Sequence, residues 1–346
     1  MEKFRMKVCV YGAGAVGGSL AARLWKSGAR VSVIARGPNL AAIRANGLKV
    51  MTPAGNMIAH VDATDDPASL PPQDVIVVAV KAPALHSIAA GLEALVGADT
   101  SVVFVMNGIP WWYLHGYGGP LSGREIQGLD AEKAMLRTVG VRRAVGGVIF
   151  GHSEAIEPGV VRVESGVTKL ILGYADDRTP ESLDALGGYL RADDFVVELT
   201  DNIRRGVWSK LQVVACAGLF SCITDLPPSA AYDAEAAKFA ARLLFAELGA
   251  IADAAGYPTG LTAEDMFAIA RNQKRKPSIA ADLERGRPIE FDAMFGVPLE
   301  LARLMNVHVP TFELLAPIVR RLAMPKGAYS APVAPVTMPF SGGITG

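Results

Sequence analysis

The sequence predicts an α/β protein in which a doubly wound, mostly parallel sheet comes first and an all-helical domain follows. Three observations lead there. Residues 6–11 form a short apolar, β-branched run, and Gly12, Gly14 and Gly17 follow it in G-x-G-x-x-G spacing before a helix over residues 15–27. Strand and helix patterns then alternate to about residue 200, as in successive βαβ units. After Asp201 the strand signals stop, and residues 202–325 carry helical periodicity almost throughout.

Each element has its reason. Gly12 permits a tight turn, Gly14 lets backbone approach a pyrophosphate, and Gly17 lets the helix pack close to the strand. With Ala15 and Val16, whose N–H groups open the helix, these glycines form a dinucleotide-binding, Rossmann-type turn at a helix N-terminus that favours an anion. The next strand, residues 31–35, leads to Arg36, about 20 residues past the last glycine. A carboxylate there would bind the free ribose hydroxyl of NAD, whereas an arginine suits the 2′-phosphate of NADPH. A glycine turn that binds nothing, or the adenosyl-cofactor site of a methyltransferase, shares part of this pattern.

Residues 38–46 read as a helix closed by Gly47, and residues 48–51 and 57–61 as a hairpin around PAGN. Residues 75–80 and 101–106 are continuous apolar runs, expected of parallel strands covered on both faces. Between them Leu85, Ile88, Leu92 and Leu95 share one helical face. Residues 111–130 form a loop rich in Gly and aromatics, which leaves a lid, a homodimer contact or ordinary core packing open. Short strands over residues 145–172 suggest an antiparallel extension, followed by a helix over 180–192 and a closing strand over 195–199. These patterns divide the chain into a Rossmann domain (1–200), a helical substrate and catalytic domain (201–325) and a flexible tail (326–346).

Composition narrows the function. Lys+Arg and Asp+Glu are 34 each, so no net field favours nucleic acid or a membrane surface. The first apolar run is interrupted at once by the glycine turn, unlike a signal peptide, and no apolar stretch is expected to reach the roughly 18 residues of a membrane span. Cys9, Cys216 and Cys222 make no disulfide framework, which suits reduced thiols in the cytoplasm. The five histidines show no metal-ligand spacing.

Three residues stand where chemistry is expected. Lys81 ends the Val-Ile-Val-Val-Ala-Val run and Asn107 ends the next one, so both fall at the ligand edge of the sheet. Lys210 lies on a helix whose Ile203, Val207, Leu211 and Val214 recur at helical spacing. A buried lysine is costly unless paired or deprotonated, so Lys210 is either a tuned proton donor or a side chain that snorkels to the surface. Ser278, Asp282 and Glu290 follow in KPSIAADLERGRPIEFD. Glu290, between Ile289 and Phe291, suits a tuned carboxylate, while Asp282 reads better as part of a solvated helix face with local ion pairs.

Over residues 6–323 the chain resembles the ketopantoate reductase family. The likeness rests on GAGAVG, IAR, VKA, NGIPWWY, W-x-KL and S-x-x-x-D-L-x-x-G-R-P-x-E-x-D, in that order. It implies NADPH bound by the glycine turn and Arg36, with Lys81 and Asn107 lining the ribose and nicotinamide region. It also implies Lys210 as general acid, Ser278 as the group that binds the substrate carboxylate, and Glu290 as the residue that orients the lysine and the reacting hydroxyl. The reaction implied is reduction of a small 2-oxo acid, 2-dehydropantoate to pantoate in pantothenate biosynthesis. One departure stands out: three asparagines of the family pattern fall at Val214, Gly218 and Pro228. Val214 and Gly218 share the helix face of Lys210, so they predict a more apolar and wider substrate pocket. A relative acting on a more apolar 2-oxo acid or ketone, and a non-catalytic NADP(H)-binding sensor, remain the alternatives.

Overall fold

A computed structural model describes residues 5–330, apart from residues 117, 120, 127 and 179–182. The chain opens β1 (Lys7–Tyr11), α1 (Ala15–Lys26), β2 (Arg30–Ile34) and α2 (Gly37–Asn46). A hairpin of β3 (Leu48–Thr52) and β4 (Gly55–Ala59) follows, then β5 (Asp62–Thr64), β6 (Gln73–Val78), α3 (Leu85–Glu93) and β7 (Val96–Val105). After the loop that starts at Asn107 come α4 (Ala134–Thr138), β8 (Ala144–Phe150), β9 (Ser153–Glu157), β10 (Val160–Val163) and β11 (Thr168–Tyr174). The sheet region closes with α5 (Asp184–Leu190) and β12 (Phe195–Leu199).

The eight-stranded sheet has the order β12-β11-β8-β7-β6-β1-β2-β5, parallel at every step except β8 with β11. Since β2 lies on one side of β1 and β6 on the other, the winding reverses at β1. Ligands of such sheets bind beyond the strand C-termini at that reversal. The expected antiparallel extension divides in two. β11 joins the main sheet, while β9 and β10 form a second sheet with the β3–β4 hairpin in the order β4-β3-β10-β9.

Strand residues alternate between two cores, because successive side chains point to opposite faces. Val8, Val10, Val31 and Val33 pack toward α1 and α5, whereas Cys9, Tyr11, Ile76 and Val78 belong to a larger core. That larger core continues without a break into the helical half. Its frame is α6 (Ile203–Thr224), α7 (Pro228–Ala231), α8 (Glu235–Ala254), α9 (Ala263–Arg271), α10 (Ser278–Glu284), α11 (Val297–Leu304) and α12 (Pro310–Ala323). α6 lies on the β8–β11 face, where its Ile203, Val207, Trp208 and Leu211 are buried. One sheet face therefore folds against the helical half rather than beside it.

Two expectations are corrected here, and one open alternative is decided. α6, at 22 residues, is long and apolar enough to cross a membrane by length and composition, yet 72% of its apolar window is buried in the protein's own core. The tail does not begin at residue 326, since Ala328 is buried and the Tyr329 hydroxyl donates to Asp292 Oδ1 at 2.9 Å. Residues 331–346 lie outside the described residues. In the aromatic loop, Trp111, Trp112 and Tyr113 are buried, so this part is core rather than lid. Arg204, wholly buried, pins it: the guanidinium donates to the carbonyls of Tyr113, His115 and Ala175 and pairs with Asp177 at 2.7 Å.

Candidate active site

Four adjacent parallel strands, β7, β6, β1 and β2, end at one edge of the sheet, and each carries a residue singled out above. Past β1, Gly12 adopts φ +101°, and a Cβ there would lie 2.9 Å from Val80 Cγ1. At Gly17 a Cβ would lie 2.0 Å from the Gly12 carbonyl oxygen, so only glycine lets α1 sit this close to the turn. Gly14 faces open space within 4 Å. α1 starts with no side-chain cap and no acidic residue in its first turn, so the first N–H groups of the helix meet neither a capping side chain nor a competing anion. Arg36, exposed just past the end of β2, lies close enough to Tyr11 for its charge to act on that hydroxyl. An open glycine turn, an uncapped helix start and an arginine at the second strand end fit a dinucleotide.

Beyond β6 and β7 the edge becomes ionic. Gly108 has φ +83°, and a Cβ on it would lie 2.5 Å from the Ala293 carbonyl, which also accepts a hydrogen bond from Ile109 N–H at 2.8 Å. The Asn-Gly turn is thus pressed against the π-helical turn Asp292–Gly296, just after Glu290. This contact brings Asn107 to Glu290: its side-chain amide donates to Oε2 at 3.4 Å, while Ala82 N–H donates to Oε1 at 3.4 Å. Burial pushes the Glu290 carboxyl up from its ordinary range, opposed by these two donors and by the charges of Lys81 and Lys210. Lys81 pairs with Asp282 and also donates to the Pro288 carbonyl at 3.3 Å.

Lys210 comes from α6, whose position is set by its neighbour. Trp208 Nε1–H donates to the Tyr113 hydroxyl at 2.6 Å with the rings edge-on, linking W-x-KL to NGIPWWY. The Lys210 side chain borders a small recess lined by Met106, Gly108, Val148, Val207 and Leu211, and keeps part of its surface there. Its ammonium lies deep in the fold. Burial lowers its pKa from 10.5 to about 8, and Glu290 is the charge that resists the fall. A lysine tuned this close to neutrality can release a proton and recover it.

Several placements differ from expectation. Asp282 is not on a solvated face: it is buried and pairs with Lys81, 201 positions earlier. Gly218 does not widen a pocket, because the space of its missing side chain is taken by Ile279, 2.9 Å from an added Cβ. Close helix packing, not a ligand, accounts for that glycine. Val214 is half-buried one turn beyond Lys210. Pro228 is buried at the start of α7. Ser278 opens α10 with an exposed side chain, and among the described residues no hydrogen bond joins it to Lys210, Asn107 or Glu290. Met106, Val148 and Val207, which no motif singled out, line the recess beside the lysine; apolar strand and helix residues carry no local mark of such a role.

Gly12, Gly14, Gly17, Arg36, Lys81, Asn107, Lys210, Ser278 and Glu290 all lie within two matched family models. Residues 8–111 match "Ketopantoate reductase PanE/ApbA" and residues 202–323 match its C-terminal counterpart. The chain belongs to the ketopantoate reductase family. It is 35% identical over 328 residues to a 2-dehydropantoate 2-reductase of Mesorhizobium japonicum, covering 94% of this chain and 100% of that protein. A ketopantoate reductase homologue from Ralstonia solanacearum MolK2 superposes with TM-score 0.87 at 32% identity, covering 94% of this chain and all of the other. D-mandelate dehydrogenase, solved with NADH and anilino(oxo)acetate, shares the fold with TM-score 0.78 at 18% identity, over 94% and 100% of the two chains. Membership of the ketopantoate reductase family makes this protein an oxidoreductase with an α/β Rossmann-like sheet and a helical C-terminal region.

Proposed function

We propose that this ketopantoate reductase family member reduces the keto group of a 2-oxo acid with NADPH, that 2-dehydropantoate is its lead substrate, and that Lys210 is the general acid. The observation that carries the reading is a deeply set lysine within electrostatic reach of the buried carboxylate of Glu290 at the ligand edge of the sheet. NADPH, when bound, supplies the hydride to the keto carbon. The uncapped start of α1 holds the pyrophosphate, and Arg36 holds the 2′-phosphate. Asn107 and Lys81 line the far end of the cofactor cleft. Lys210 gives its proton to the keto oxygen as charge develops there, and Glu290 keeps that lysine protonated beforehand. Ser278 at the start of α10 receives the substrate carboxylate. The name of the Mesorhizobium japonicum relative supports the choice of lead substrate.

The cofactor assignment has a direct test. Arg36→Ala should weaken NADPH binding about ten- to a hundredfold and leave NADH nearly unchanged, since a hydrogen bond to a charged group contributes roughly 1.5–3 kcal/mol. Titration of both cofactors into both proteins measures this. Equal affinity of the unaltered protein for NADPH and NADH would remove Arg36 from cofactor choice.

A second reading has its own observation. Apart from Lys210, every side chain lining the recess is apolar, and Val214 continues that surface by one turn. A 2-oxo acid with an apolar tail would suit it. The lead reading expects kcat/KM for 2-dehydropantoate to exceed that for its analogue lacking the hydroxyl by about a hundredfold or more, as in a site built to bind a hydroxyl. Near-equal values would favour the apolar substrate.

A further inference from the structure

The cleft holds four charged side chains, and the proposed chemistry uses only two of them directly. Lys210 on α6 and Glu290, in the turn before α11, lie close enough for each charge to act on the other. Lys81, at the end of β6, lies close enough to Glu290 for its charge to act on that carboxylate. Asp282, on α10, is the fourth. Its carboxylate is buried and meets Lys81, which is also held by the Pro288 carbonyl. Among the described residues, the charged groups that act on Glu290 are Lys81 and Lys210, and the charged group that acts on Lys210 is Glu290. Glu290 also faces two neutral donors, Ala82 N–H and the Asn107 amide. Two ammonium groups therefore share one carboxylate, and only Lys81 has a second anion to turn to.

We propose that Asp282 is a positioning residue for the reaction: by holding and neutralising Lys81, it reserves the field of Glu290 for Lys210. This rests on the reading of Lys210 as general acid. The physical reason is competition. Attraction between opposite charges rises steeply where water is excluded, and an uncompensated cation in the same cleft acts in two ways. It opposes the charged form of Lys210 directly, and it competes for the carboxylate that supports that form. Both effects have the same sign, so loss of Asp282 lowers the pKa of Lys210. Asp282 touches neither Lys210 nor Glu290 and acts only through Lys81.

The experiment is the pH profile of kcat/KM for 2-dehydropantoate at saturating NADPH, in the unaltered protein and in Asp282→Asn, Asp282→Glu and Lys210→Ala. Asn keeps the shape of Asp282 and removes its charge; Glu keeps the charge. In Asp282→Asn the fall of activity on the basic side should move to lower pH by about one unit, the lower end of shifts caused by a nearby charge. In Asp282→Glu it should stay where the unaltered protein has it. A purely structural role would reduce activity without moving the profile. An unmoved profile in Asp282→Asn therefore overturns the proposal. So does loss of all activity in both Asp282 variants with NADPH binding intact, which would place Asp282 in the chemistry itself. Failure of the underlying reading looks different: the basic fall would persist in the residual activity of Lys210→Ala.

Discussion

Lys210→Ala should lower kcat by roughly 10²–10⁴, the usual contribution of a positioned general acid, while NADPH binds almost as before. The expectation follows from where the lysine sits. It comes from α6, on the helical side of the cleft, whereas the dinucleotide contacts proposed here come from the turn after β1 and the end of β2. Its loss removes a proton donor and leaves the cofactor's seat intact. The protonated form is the working one, so the reductive rate of the unaltered protein should be flat below and fall above a pH of about 8. Lys210→Arg should fail to restore the rate, because a guanidinium keeps its proton at any pH the protein tolerates. Stopped-flow measurement of NADPH consumption separates the chemical step from binding. Turnover of Lys210→Ala within a few-fold of the unaltered protein would take the lysine out of the mechanism.

The second large effect is on stability. Arg204→Leu should destabilise the fold by roughly 3–5 kcal/mol, since each buried carbonyl left without a donor costs about 1–3 kcal/mol. The guanidinium is fully covered and satisfies three carbonyls, those of Tyr113, His115 and Ala175, besides pairing with Asp177. Leucine leaves all three carbonyls without that donor and frees the aromatic loop from the start of α6. A thermal unfolding scan should show a midpoint lower by on the order of 10 °C. A midpoint within a degree or two of the unaltered protein would mean that the loop is held elsewhere. Loosening there should also lower kcat, because Tyr113 anchors Trp208 two residues before Lys210.

Much of the architecture can be read without coordinates, because it is written in short-range pattern. The continuous apolar runs of β6 and β7 mark strands buried on both faces, and their ends locate Lys81 and Asn107 at the ligand edge. The three glycines state their tasks by spacing: two have no room for a Cβ and the third faces open space. Arg36 follows β2 at the distance where a second strand meets the cofactor. The helical half is legible for the same reason, since a 3.6-residue period records which side of a helix is covered. The lengths of such patterns also mislead. α6 passes for a membrane span by composition alone, and only its packing against β8 and β11 shows which surface covers it.

What local pattern cannot contain is the partner. Asp282, in a stretch of alternating charges, looks like a solvated helix residue; its cation lies 201 positions away and reaches it only when α10 folds over the end of β6. Gly218 looks like room made for a ligand until Ile279 of α10 is seen to fill the space. Trp111, Trp112 and Tyr113 could form a lid, a dimer contact or core until Arg204 is found beneath them. Taken by itself, the sequence determined the sheet-then-helices order, the glycine turn and the strand ends where ligands bind, because each depends on residues within a turn or two of one another. Tertiary structure alone decided which carboxylate meets which lysine, because buried charges must be neutralised by whatever the fold brings beside them, however far away in the chain.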